Sequence, residues 1–300
     1  MLKIPCNCDE VFDNRVLIIT GVGRSGTTIL GKLIASMDPV YYLFEPAIMK
    51  YAHNLPPEIF KALLFEDYFL PLIQGRGNMN PADWSFQGNH MSEKQIEHAW
   101  SLSRREDAIK FIKEKKPLFV IKMPEYQHRI GSMFDTFTGL RCIDIIRNGH
   151  DVISSTVKRG WYTDEYCNTQ MIDYLYSDRM CNIPMFLSKK AGKRWPGMDQ
   201  ATRAACVWRC LTQRSIDNAK MYGGRYMVVK YERFKEAPRA IAFELCFGYG
   251  VELTPLADKH IQSVKAFKPK ETCITHDIDA TEKQIFLKLM KDRGYDDTAR

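Results

Sequence analysis

Residues 20–28 read Thr-Gly-Val-Gly-Arg-Ser-Gly-Thr-Thr and lie between two patterned runs. Before them, Arg15 to Thr20 (RVLIIT) is short, β-branched and ends at glycine, which predicts a buried strand. After them, Thr27 to Met37 predicts a helix stopped by Asp38-Pro39. Strand, glycine turn and helix start, in that order, leave few folds open. Glycines let a backbone turn tightly and aim successive N–H groups at one point. The start of a helix adds partial positive charge there. The direct physical reading is a cradle for a phosphate or sulfate group; the alternative is a bare strand-to-helix turn.

The rest of the chain has the same rhythm. Val40–Phe44, Leu118–Lys122, Arg141–Arg147 and Tyr226–Lys230 read as further strands. His150 to Arg159 reads as a helix, and Asp199 caps another that reaches about Met221. Ser92-x-x-Gln95 resembles a capping box opening one long helix to about Lys115, and Thr254-Pro255 and Thr281-x-x-Gln284 mark two more starts. Residues 71–91 read as a loop rich in Gly, Asn and Pro. Short apolar strands alternating with helices predict a mostly parallel central sheet flanked by helices, an α/β fold of three layers. Ligands bind such sheets at the carboxyl ends of strands. The 21–28 loop, Glu45, Lys122 and Arg147 all fall at such ends.

Three kinds of protein could own the loop. Gly21-x-Gly23-x-x-Gly26 fits a dinucleotide fingerprint, but Arg24, Ser25 and two threonines stand where small apolar residues are wanted. Gly21-x-x-x-x-Gly26 fits a nucleoside-triphosphate loop, but threonine replaces its lysine. Gly23-Arg24-Ser25-Gly26-Thr27-Thr28 resembles the phosphosulfate-binding loop of sulfotransferases that use 3′-phosphoadenosine 5′-phosphosulfate (PAPS). Tyr41 to Pro46 is similar to the Phe-Glu-Pro segment of carbohydrate 6-O-sulfotransferases, and the Arg24–Glu45 spacing resembles that of protein-tyrosine sulfotransferases. Arg147 with Ser155, eight residues on, looks like the family's 3′-phosphate motif, although Gly149 stands where proline is frequent. Tyr231-Glu232 is similar to the Tyr-Glu-Asp segment, with Arg233 in place of the last acid, and Lys122-Met123-Pro124 resembles a Lys-x-Pro segment. Lys265, Lys268 and Lys270 are candidates for a tail that covers the nucleotide.

The resemblance implies one sulfotransferase domain over residues 1–300, with PAPS as co-substrate and no metal. Gly23, Arg24, Ser25, Gly26, Thr27, Thr28, Arg147, Ser155 and Tyr231 would bind the nucleotide. Glu45 would act as general base, Arg24 would stabilise charge on the transferring group, and Lys122 would assist the leaving phosphate. The acceptor would be a hydroxyl of a carbohydrate, a phenol or tyrosine, or a small molecule. A phosphotransferase of the same loop type, and a non-catalytic nucleotide binder, are the competing readings. Residues 160–198 carry Trp161, Tyr162, Tyr166, Tyr174, Tyr176 and Trp195, which could form a lid, an acceptor wall or a satellite core.

Composition narrows the partners. A net charge of +7, scattered along 300 residues, suits a small polyanion and argues against nucleic acid. The seven histidines have no metal spacing, and the nine cysteines, with Cys6-Asn-Cys8 and a Cys206/Cys210 pair, have no framework spacing. No apolar run reaches the length of a membrane span and no secretory signal is evident, so the expectation is a soluble, cytoplasmic protein.

Overall fold

The computed structural model describes residues 9–76, 93–169, 175–178, 181–264 and 277–295. Five strands, β1 (Val16–Gly21), β2 (Val40–Phe44), β3 (Leu118–Lys122), β4 (Arg141–Ile146) and β7 (Tyr226–Lys230), form one parallel sheet in the order β2-β3-β1-β4-β7. Two short strands between them, β5 (Leu175–Asp178) and β6 (Cys181–Pro184), make a separate antiparallel hairpin. The α/β expectation holds, and β2, β3 and β7 keep the bounds read from sequence.

Alternation along the strands makes two cores. Val16 and Ile18 of β1 join Phe12, Phe60 and Phe119 on one face. Leu17 and Ile19 join Leu30, Leu33 and Ile145 on the other. Both faces are therefore apolar, as a parallel sheet under helices requires. A third cluster lies beside the sheet. It joins Trp208 of the Gln200–Tyr222 helix, Ile153 of the Gly149–Val157 helix, Phe286 of the Ala280–Asp292 helix, and Tyr162 and Trp195.

The chain leaves β1 toward β2 on one side and leaves β4 toward β7 on the other. The carboxyl ends of β1 and β4 thus frame the crevice where such sheets bind ligands.

Several boundaries differ from the sequence reading. The expected long helix to Lys115 is two helices, Glu93–Ser101 and Arg105–Lys115; Ser92 lies outside the described residues. The break has a cause: the Ser103 carbonyl accepts hydrogen bonds from Gln74 Nε2 and Arg76 Nη2, each at 3.0 Å, and Arg104 is extended at ψ 143°. Residues 71–73 are helical rather than loop, and 77–91 lie outside the described residues. The last helix is capped by Asp279, not Thr281: the Asp279 side chain accepts from the Glu282 N–H at 2.9 Å. The Thr254 and Asp199 caps stand as read. Asn148, accepting from His150 N at 3.0 Å, starts its helix at Gly149.

Candidate functional site

β1 delivers the glycine loop to the crevice. Within it, Ser25 N donates to the Val22 carbonyl at 3.0 Å, closing a tight turn, and Arg24 sits in the left-handed region at φ 72°. Gly26 has φ 102°, and a Cβ there would lie 2.4 Å from the Tyr231 ring, so only glycine fits. Gly23 is equally confined, because an added Cβ would meet Trp161 at 2.7 Å and Glu125 Oε1 at 2.8 Å. Ser25 Oγ is buried and makes no hydrogen bond among the described residues. Thr27 is buried at the helix start and Thr28 is exposed.

Arg147 and Ser155 meet this loop from β4 and the helix after it. Arg24 Nε donates to Ser155 Oγ at 3.2 Å, and Arg147 Nη1 donates to the Arg24 carbonyl at 3.3 Å. Arg147 is held from all sides. Its Nη2 donates to Asp151 at 3.2 Å, its Cζ lies 4.6 Å from the Tyr231 ring centroid, and its carbonyl accepts from Trp208 Nε1 at 3.0 Å. Arg147 Nε is buried with no partner among the described residues. The corner is electropositive: burial first, then Arg159 and Arg147, push the Arg24 pKa below its ordinary value.

Tyr231-Glu232 does two jobs. Tyr231 packs on Gly26 and Arg147, while Glu232 accepts from Asn148 N at 2.9 Å and from Tyr295 OH at 3.1 Å. Arg233, where the resemblance would want an acid, points away and pairs with Glu244 on the surface. Gly149 has a packing reason to be glycine here, since a Cβ would meet the Phe286 ring at 2.5 Å.

Glu45 and Lys122 are brought together by register, because Phe44 of β2 lies opposite Lys122 of β3. Glu45 N donates to the Lys122 carbonyl at 2.9 Å, and Lys122 Nζ pairs with Glu45 Oε1. The Lys122 side chain is only 3% exposed and its ammonium lies 4.1 Å from the Phe44 ring centroid. Burial pulls its pKa down, against the pull of Glu45. Glu45 Oε2 makes no hydrogen bond among the described residues.

The sequence reading missed Glu125, three residues past Lys122. Its Oε1 accepts from Gly23 N at 3.2 Å and from Tyr162 OH at 2.8 Å. Burial raises its pKa most, the Tyr162 and Gly23 hydrogen bonds oppose that, and Glu45 adds to it. Among the described residues five non-glycine positions have left-handed backbones, and four of them, Arg24, Glu45, Glu125 and Tyr162, are here. Such positions cost about 1–3 kcal/mol each and persist where the surroundings hold them.

The aromatic segment is divided. Trp195 and Tyr162 are core, and Arg203 staples them by donating to the carbonyls of Trp195 and Tyr162, each at 3.1 Å. Trp161 and Tyr166 are part-exposed and stack at 5.8 Å, with Arg24 Cζ 5.8 Å from the Trp161 centroid. Tyr174 and the tail candidates Lys265, Lys268 and Lys270 lie outside the described residues, as do Cys6 and Cys8. Among the described residues no cluster of three His, Cys, Asp or Glu could hold a metal, and no helix is long and apolar enough to cross a membrane. A cavity of about 430 Å³ lined by Asp38, Tyr41, His98, Lys115 and Glu252 lies at the amino end of β2, the wrong end of the strands for this chemistry.

The family model described as "Sulfotransferase family" matches residues 17–255, which includes the loop, Glu45, Lys122, Arg147, Ser155 and Tyr231. The chain belongs to the sulfotransferase family. The fold agrees with solved sulfotransferase structures. The sulfotransferase domain from the Synechococcus PCC 7002 olefin synthase aligns at TM-score 0.50 and 15% identity, covering 94% of each chain. The sulfotransferase domain from the curacin biosynthetic pathway aligns at TM-score 0.50 and 14% identity, covering 93% of this chain and 97% of that one. At such identity the likeness speaks for the fold alone. No curated protein matches the sequence. As a member of this family, the chain is a sulfuryl transferase.

Proposed function

We propose that this sulfotransferase takes its sulfuryl group from PAPS and passes it to an acceptor hydroxyl by in-line displacement. The observation that carries the reading is the meeting of Arg24, Ser155 and Arg147 within 3.2–3.3 Å beside a glycine turn that tolerates no side chain. A 5′-phosphosulfate in the 23–28 loop and a 3′-phosphate on Arg147 and Ser155 would both be met by donors. The fit is supported by Ser25 Oγ and Arg147 Nε, buried donors with no protein partner among the described residues.

The acceptor oxygen forms its bond to sulfur while the bond from sulfur to the 5′-phosphate oxygen breaks. Glu45 Oε2 takes the hydroxyl proton, Lys122 keeps Oε1 in place, and 3′-phosphoadenosine 5′-phosphate (PAP) leaves. Arg24, Lys122 and the loop N–H groups stabilise charge as it moves onto the leaving phosphate. Trp161 and Tyr166 offer the acceptor a flat wall next to the loop, which suits a sugar face or a phenol.

Calorimetry with PAP and with adenosine 5′-phosphate tests the donor assignment. PAP should bind much more tightly. Arg147→Lys, which keeps Asp151 paired and loses the bidentate fork, should cost PAP about 1.5–3 kcal/mol, or roughly 10–150-fold in Kd. Equal binding of the two nucleotides by the unaltered protein would sink the 3′-phosphate clamp.

A further inference from the structure

The loop that would hold the donor already has a carboxylate on it. Glu125 Oε1 accepts the Gly23 N–H, one of the backbone donors that gives the loop its appetite for anions. The approach is so close that any side chain on residue 23 would collide with it. The contact joins the start of the loop to the segment after β3, 102 residues away. Glu125 pays for its place with a left-handed backbone at φ 59°, and its other partner, Tyr162, has φ 64°. Among the described residues no cation pairs with it. The titratable groups around it are Glu45 at the end of β2, Tyr162 and Tyr166 from the aromatic segment, and, beyond Glu45, Arg24 and Lys122. On its own segment, the Glu125 carbonyl faces His128 Nδ1 at 2.9 Å.

We propose that Glu125 is a resident counter-anion of the donor loop: a sulfate or phosphate group settles on the loop only as Glu125 takes up a proton or gives up the Gly23 N–H. Donor binding is then coupled to proton uptake, and the loop carries its own brake. The inference rests on the reading that this loop binds the donor's anionic group. Two like charges cannot share one small, partly buried cradle without one being neutralised. The protonated carboxyl keeps its contact with Tyr162 and stops repelling the incoming anion. Burial and Glu45 already lift the Glu125 pKa, so the proton is within reach as the pH falls. Glu125 touches no reacting atom in this account; it is a positioning residue.

The test is binding of inorganic sulfate, which does not itself titrate near neutrality, measured from about pH 5 to about pH 9. Glu125→Gln keeps an oxygen for Gly23 and Tyr162 and removes the charge. Lys122 and His128 are the same in both proteins, so the readout is the difference between them. Sulfate should bind the unaltered protein and Glu125→Gln alike at the acid end. Toward the basic end Glu125→Gln should hold it on the order of tenfold more tightly. Tyr162→Phe removes a hydrogen bond that favours the ionised carboxyl, and should move the fall in affinity to higher pH. A purely structural hydrogen bond predicts that Glu125→Gln matches the unaltered protein at every pH, and that result overturns the proposal. Weaker sulfate binding by Glu125→Gln, or no sulfate binding by either folded protein, overturns it as well. The expected sulfate pattern together with equal affinity for PAP and adenosine 5′-phosphate would instead remove the PAPS reading and leave the counter-anion in place.

Discussion

The proposed donor end and the proposed acceptor end of the site are built on different plans. At the donor end the groups that matter are backbone N–H groups, a glycine turn, Ser155 and two arginines, Arg24 and Arg147. Arg147 alone is held by Asp151, Tyr231, Trp208 and the Arg24 carbonyl. At the acceptor end the groups are a single carboxylate–lysine pair and an aromatic wall that packs on Tyr162, itself held by Trp195 and Arg203. The first plan tolerates little variation because geometry is written into the backbone. The second lets the wall change while the chemistry stays, since Glu45 and Lys122 are set by sheet register and not by the segment above them.

Separate mutants can break that division. If Glu45 is the base, Glu45→Gln should lower turnover by about 10²–10⁴-fold and leave PAP affinity nearly unchanged. A parallel loss of PAP affinity would mean that Glu45 serves the loop, and an active variant would refute the base assignment. Trp195→Ala removes a fully buried indole whose Nε1 donates to the Asn182 carbonyl at 3.0 Å. It should cost about 3–5 kcal/mol in denaturant unfolding. If the two ends are independent, the folded variant should still bind PAP; a variant that folds well but has lost PAP would join them through Tyr162 and Glu125.

A smaller effect lies beneath both ends. Asp144 of β4 is fully buried, with Ser215, the Tyr226 hydroxyl and Gln127 Nε2 (at 3.4 Å) as hydrogen-bond partners and no cation among the described residues. Burial raises its pKa from 3.8 to about 6 despite those hydrogen bonds. The folded protein therefore holds this proton more tightly than the unfolded chain. Its contribution to stability is greatest below about pH 4 and is lost as the pH rises through about 6, an effect on the order of 3 kcal/mol. Asp144→Asn should flatten that part of the stability–pH curve; an unchanged slope would place the titration elsewhere. The smallest effect is expected from chelation. EDTA should leave sulfuryl transfer from PAPS intact, and a loss restored by Mg²⁺ would favour phosphoryl chemistry.

Much of the donor end was legible because it is contiguous. The 20–28 loop sits in one window of sequence, and Arg147 with Ser155 in another. The buried strands were legible for a related reason: a strand covered on both faces is a short β-branched run with clear ends. What could not be read depended on contacts across the chain. Glu125 gains its meaning only where the segment after β3 crosses β1, so nothing around it in the sequence marks it out. The Glu45–Lys122 pair needs the β2–β3 register, and the break at Leu102–Arg104 needs the donors from Gln74 and Arg76. Thr281 looked like a cap by pattern, but Asp279 wins because Glu282, three residues on, is drawn inward to Arg209.

The packing of Gly149 has a bearing on how the protein is made. The turn that carries Arg147 is covered by Phe286 and Met290, and Tyr295 donates to Glu232, which accepts from Asn148 N on that turn. The glycine loop and all five sheet strands precede residue 231, so a ribosome releases them well before the 280–292 helix. A nascent chain arrested between the two would hold a finished sheet and an exposed, unbuttressed Arg147 turn. Its apolar underside would be open to chaperones until synthesis supplied the helix.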